Sequence, residues 1–554
     1  MSSPALPQLL RIKAEFGPGA GRTKLRLLQS LRRARLGSAR QVFELHEALC
    51  FLRAYPDDPP VLAEVRAQLA GFSERADLQR FAGRLRDTGI DGTAIHYRFY
   101  WAMVRWLIDR YPGQLELDRR ALEDPDRLAA GLRLVLPLDL RPISGLAEDA
   151  LWRTLDRLRG EESDATHLAR RIRASFGSEV ERESFHDQLD SPYVLRPSPG
   201  TPNRTRAELS VRRVHFQRGE ALQHQRPPLD QQMRRAPGAP RQLSRAKGQQ
   251  VIDRCCEAMV TRARDLEVFE YGNPSDVWWI DDERGLSFAF VGVEPERRLF
   301  PRAGYGCLLL RNGAPVGYLQ VDSFGQNAEI SFNIFPAFRG GEAAYLFARS
   351  MAAVRTFFGA ETLLVEPYQL GHGNEEGLAS GAFWFYQKMG FRPLRGAVRK
   401  VLATELAKIS RDPSYRSSRA TLLKLVEGHL YYSLAASPET FVFDLSAQAL
   451  RLQETLRASA GSDYRAGQAA LAKDALRRLR LSSWGARTAA EEAAVLRFSP
   501  VLARIPRLER WSAAQARGLA EVVVAKGAAS ERSYVAAVLA QPRSARAIVQ
   551  ALTA

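Results

Sequence analysis

The stretch AEISFNIFPAFRGGEAAYLFARSMAAVRTFFG, residues 328–359, decides how the rest of the chain is read. Glu329 to Phe335 alternates polar and apolar side chains, the period of a half-buried strand. Pro336 stops it, and Arg339-Gly340-Gly341 makes a turn. A helix follows from about Glu342 to Phe358, with Ala344, Phe347, Ala348, Met351 and Val354 at helical spacing. The first N–H groups of a helix have no intrahelical partners, so a strand, a glycine turn and a helix start form a ready anion site. Downstream, ETLLVE (361–366) reads as a short buried strand and Ala379 to Met389 as a second helix. The unit implies a ligand carrying phosphates.

Upstream, GYGCLLLRNGAPVGYLQVD (304–322) reads as a hairpin turning at Asn312-Gly313. VWWIDDERGLSFAFVGV (277–293) reads as a further strand pair. The whole order closes on the helix LASGAFWFYQKMGFRP (378–393), and in that order it resembles the core of the GNAT superfamily of acyl-CoA N-acyltransferases. The resemblance covers about 150 residues. It implies that backbone at the strand end, Ile334 and Phe335, pairs with pantetheine. It implies that Arg339, Gly340, Gly341, Glu342, Ala343 and Ala344 hold the pyrophosphate, with Asn374 in the loop nearby. It also implies that Tyr386 protonates the departing thiolate. Tyr386 has a plain alternative as a packed tyrosine beside Phe383, Trp384 and Phe385. Glu329 is the general-base candidate and Glu366 the second, because N-acyl transfer needs a group to take the amine proton. His372, in the loop before the second helix, borders the expected cleft.

The fold class expected is therefore α+β and multidomain: a central mixed sheet, GNAT-like, between N-terminal and C-terminal helical regions. Residues 1–190 are expected to be a helical domain, 191–243 a connector rich in Pro and Arg, 244–405 the acyltransferase-like domain and 406–554 a second helical region. In the first region His96 to Asp109 is read as one helix, and in the last Leu422 to Leu434 is read likewise. The function expected is transfer of an acyl group, acetyl first, from acetyl-CoA or another acyl-CoA to an amine acceptor. Two residues depart from the family's pattern: Glu342 stands where the turn has a glycine, and Ala379 where an asparagine often lies. They carry the alternative of a scaffold that no longer does chemistry.

Charge supplies a third reading. The 554 residues carry a net +18. Residues 196–247 hold eleven Arg and one Lys against Glu208, Glu220 and Asp230, half of the excess, with seven prolines. Such a segment reads as an extended, poorly ordered connector able to meet nucleic-acid phosphates. Only Phe216 interrupts it with an aromatic ring, which argues against base stacking there. No apolar run reaches 18 residues, so no membrane span is expected. The first residues lack a signal-peptide pattern, and the expected location is cytoplasmic. Cys50, Cys255, Cys256 and Cys307 lack paired spacing, so no metal is expected and the thiols are read as reduced core residues. No Ser-His-Asp, His-Glu-x-x-His or Walker pattern occurs.

Overall fold

A computed structural model describes residues 4–143 and 148–553. Its centre is a nine-stranded sheet ordered β11-β12-β10-β9-β8-β7-β6-β5-β4. The strands are β4 (Arg241–Gln242), β5 (Gly272–Asp281), β6 (Leu286–Val293), β7 (Ala303–Arg311), β8 (Ala314–Phe324), β9 (Asn327–Ile334), β10 (Thr362–Val365), β11 (Arg392–Pro393) and β12 (Leu430–Ser433). The earlier numbers belong to a separate three-stranded sheet of β1 (Ile95–Tyr97), β2 (Leu115–Leu117) and β3 (Tyr193–Leu195). Every neighbour pair in the large sheet is antiparallel except β9 with β10.

Five helices matter to the argument: α1 (Ala39–Ala54), α2 (Arg245–Val260), α3 (Ala343–Phe358), α4 (Ala382–Lys388) and α5 (Glu531–Ala540). In β6 every residue is buried, as in β7, because both faces are covered. Phe290 stacks on Phe357 of α3, with ring centroids 4.7 Å apart. The next residue, Val291, turns to the opposite face, and a Cβ added at Gly272 would meet both it and Ile252 of α2 within about 3 Å. Helices α2 and α3 therefore sandwich the sheet. The hairpin turn lies where Asn312-Gly313 places it, both residues having positive φ, 50° and 81°.

The expectation of an α+β chain with a mixed sheet and flanking helices is met. Three local expectations are corrected. Residues 1–190 are not purely helical: His96 lies in β1, and the helix starts only at Trp101. Leu422 to Leu434 is not one helix but a short helix, Arg419–Leu425, followed by β12, so the sheet draws in a strand beyond residue 405. The connector is ordered rather than loose. Thr201, Asn203, Arg204, Thr205 and Gln217 are buried. Arg204 pairs with Glu47 at 3.0 Å and Arg206 with Asp91 at 2.9 Å, so part of its charge is spent on holding it down.

Candidate active site

Strand β9 pairs with β10 only through Asn327, Ala328 and Glu329. Beyond Glu329 it continues against β8 alone, from Val321↔Ile330 to Gly317↔Ile334, and the two parallel strands part into a V. Backbone groups alternate sides along a strand. The N–H of Phe335 donates to Val316 O at 2.9 Å, toward β8, whereas Gln326 O accepts from Glu361 and Thr362, toward β10. Even-numbered residues of β9 thus present their backbone to the V. Phe335 does not, which corrects its expected role; its ring instead lies under the Arg262 guanidinium, 3.6 Å away. Ile334 does face the V, and its carbonyl accepts from Arg339 Nε at 2.9 Å.

Tyr386 on α4 enters the same V. Its hydroxyl meets the Phe332 backbone, and burial pushes the phenol up. Its ring sits edge-on to Phe347 (5.6 Å) and Phe391 (5.5 Å). The tyrosine is therefore both packed and in the cleft, and it stays protonated, the state required of an acid.

The turn lies at the mouth of the V. A Cβ added at Gly340 would meet nothing within 4 Å, and at Gly341 the nearest groups are Phe338 O at 3.4 Å and Phe51 at 3.7 Å. Arg339 and Gly340 are exposed, and Ala343 and Ala344 half-buried. Arg339 also reaches Glu376, at 3.4 Å. Glu342 is the exception, and its expected place among the phosphate-holding groups is corrected. It is wholly buried, with its carboxylate turned inward, accepting from the Gln223 N–H at 3.0 Å. Arg284 and Arg311 each stand 3.6 Å from it. It therefore leaves the exposed side of its own turn free. Asn374 is spent locally, capping a short helix through Gly377 N (3.0 Å) and donating to Tyr368 O (3.1 Å), rather than serving a cofactor. Ala379 and His372 are exposed.

Where the V closes, five ionisable groups gather. Glu329 pairs with Arg302 at 3.0 Å and lies 3.8 Å from His429. Directly across the ladder, Asp322 faces Glu329 and reaches Arg302 at 3.6 Å. Burial pushes Asp322 up to about 6, with Arg302 opposing. Glu366 is pushed up by burial and then by the charge of Glu329, and burial pushes His429 down against the same charge. Asp322, Arg302 and His429 were missed in the sequence. The alternation of β8 marks Asp322 as sharing a face with Tyr318 and Gln320, but the register that sets it opposite Glu329 is a tertiary fact. His429 arrives only because β12 inserts beside β10.

A second buried cluster, His46, Glu47 and Cys50 on α1, has its donor atoms within 4.8 Å of one another. Both imidazole nitrogens are already engaged, Nδ1 with Glu47 at 3.1 Å and Nε2 with the Thr205 hydroxyl at 3.0 Å. Arg53 donates to the carbonyls of Thr205 and Arg204 at 2.6 and 3.1 Å. Bonded in this way, the cluster pins the connector to α1. Comparison of the chain with known families, with characterised proteins and with solved structures finds no significant match.

Proposed function

We propose that the chain is an N-acyltransferase that moves an acyl group from acyl-CoA to an amine, with the V between β9 and β10 as its cleft. The observation that carries this reading is the parting of two parallel strands beside an open glycine turn, with a protonated tyrosine between them. Unpaired backbone along a strand takes an extended amide-bearing ligand as an added strand. The exposed start of α3, beside Arg339, suits a pyrophosphate. In the reaction the amine nitrogen forms a bond to the thioester carbonyl carbon and the carbon–sulfur bond breaks. Asp322, pushed by burial up to about 6, accepts the ammonium proton through Glu329 or directly. Tyr386 gives its proton to the thiolate. Acyl-CoA enters only if Arg339 releases the Ile334 carbonyl.

That same bond favours a second reading, a scaffold without chemistry, because the backbone facing the V already has partners in Arg339 and Tyr386. Calorimetric titration of acetyl-CoA into the full chain separates the two. Micromolar binding is expected. Gly340→Asp is expected to weaken it at least tenfold without loss of fold, since the site has room for the side chain but places a carboxylate against the pyrophosphate. A folded chain that takes up no acetyl-CoA at millimolar concentration is a scaffold.

A further inference from the structure

A cavity lies away from the V, across the opposite end of the sheet. It has a volume of about 1520 Å³ and runs between connector residues 208–220, helix α2 and the β4–β5 edge. Nine basic and six acidic side chains line it. The acids are spent on partners: Asp253 on Arg110 (2.9 Å), Glu208 on Arg66, Glu257 on Arg254, Glu220 near Arg284 (3.7 Å), Asp282 on Arg349 (2.8 Å), and Asp281 on the Trp279 indole and the Ser287 hydroxyl. Five of the bases are not. Arg212, Arg213 and Arg218 on the connector wall, and Arg241 and Lys247 on the other, are exposed, and their side chains form no ion pair or hydrogen bond among the described residues.

We infer that this cleft binds a single strand of nucleic acid through its phosphates. Two facing rows of unpaired cations match a flexible polyanion threaded between them. The volume exceeds the roughly 300–1,000 Å³ of small-molecule pockets, which favours a polymer over a metabolite. It corresponds to a cube only about 11–12 Å on a side, while the major groove alone of a duplex is about 12 Å wide, so a duplex meets the rim and not the interior. Of the rings in the wall, Phe216 is half-buried and Trp279 buried, so little stacking on bases is expected and the phosphates carry the binding. The ordered connector gives this arrangement its shape: Arg204 and Arg206, paired with Glu47 and Asp91, fix the segment, and Arg212, Arg213 and Arg218 line the cleft.

The test uses the full chain and fluorescently labelled twenty-residue oligothymidine and oligouridine, read by anisotropy from 50 to 200 mM salt. Binding is expected with a log–log salt slope steeper than −2, since each phosphate contact to a single strand contributes about −0.7. The variant Arg212→Glu/Arg213→Glu/Arg218→Glu is expected to lose at least tenfold in affinity and to flatten the slope. Lys247→Glu, on the other wall, is expected to weaken binding about threefold. Arg399→Glu/Lys400→Glu, at exposed positions outside the cleft, is expected to change it less than twofold. Absence of binding at 50 mM salt, equal loss in the outside pair, or tighter binding of a duplex or of anionic vesicles overturns the proposal.

Discussion

Glu342 is the residue whose meaning changes most between sequence and structure. Read along the chain, it is a carboxylate in the first turn of α3. In space it is the counter-charge of Arg311, which is fully buried, makes no hydrogen bond with its guanidinium, and lies 4.9 Å over the Tyr55 ring. Removing one partner of a buried ion pair costs about 3–5 kcal/mol, because the other is left without compensation. Glu342→Gln keeps an oxygen for the Gln223 N–H and deletes only the charge. It should lower stability by roughly that amount in urea denaturation, and a loss below about 1 kcal/mol would show the charge to be solvated in some other way. Asp322 makes the converse case. Its carboxyl is held up to about 6 against an ordinary 3.8, so between those values the folded chain holds more protons than the unfolded one and stability falls as pH rises. The penalty is absent below about pH 4 and reaches about 3 kcal/mol above pH 6. Asp322→Asn should therefore match the parent near pH 4 and exceed it at pH 7, as read from urea midpoints at both. Neither role was legible in the sequence, since each depends on a partner more than twenty residues away or on a strand register. The helix that carries Tyr386 was legible, because its string is specific, but the contacts of the tyrosine with Phe347 and the Phe332 backbone are again long-range.

At the scale of elements, the hairpin at Asn312-Gly313 and the strand–turn–helix of 328–359 were readable because local chemistry specifies them: a turn pair tolerant of positive φ, a strand alternation, a proline stop. Strand β12 was not. Its four residues, Leu430–Ser433, follow a helix and are too short to display a period, and only the edge of β10 selects them as strand. The short strands β1 and β3 were missed for the same reason; they find each other across nearly a hundred residues. Because β12 lies between β10 and β11, a fragment of residues 244–410 has a gap in its sheet, with Leu363 and Val365 facing no partner strand. Such a fragment should be insoluble or lack a cooperative thermal transition. Extending it to residue 434 should recover strand signal in far-ultraviolet circular dichroism, and equal behaviour of the two fragments would show β12 to be dispensable.

Across the whole molecule, the helical regions are tied to the sheet by polar clamps as well as apolar contact. Arg298, buried, donates to the carbonyls of Lys526 (2.7 Å), Ala528 (2.6 Å) and Ala529 (3.2 Å). Lys526 in turn pairs with Glu531 at the start of α5 and donates to Arg302 O at 2.6 Å. Asp276 gathers the hydroxyls of Tyr305 and Ser530 and the Glu531 N–H. These groups fix the C-terminal helices beside the residue that holds Glu329, so the acid cluster and the C-terminal third share one support. The insertion of β12 has a consequence for how the chain is made. A ribosome delivers β10 about 65 residues before its neighbour Leu430–Ser433, an interval of roughly 3 to 13 seconds at ordinary elongation rates. During that interval the nascent sheet ends in an apolar, hydrogen-bond-hungry edge, the kind that pairs with other chains. Synthesis speed between residues 366 and 429, and chaperones that shield such an edge, therefore bear on the yield of native protein as directly as any contact in the finished fold.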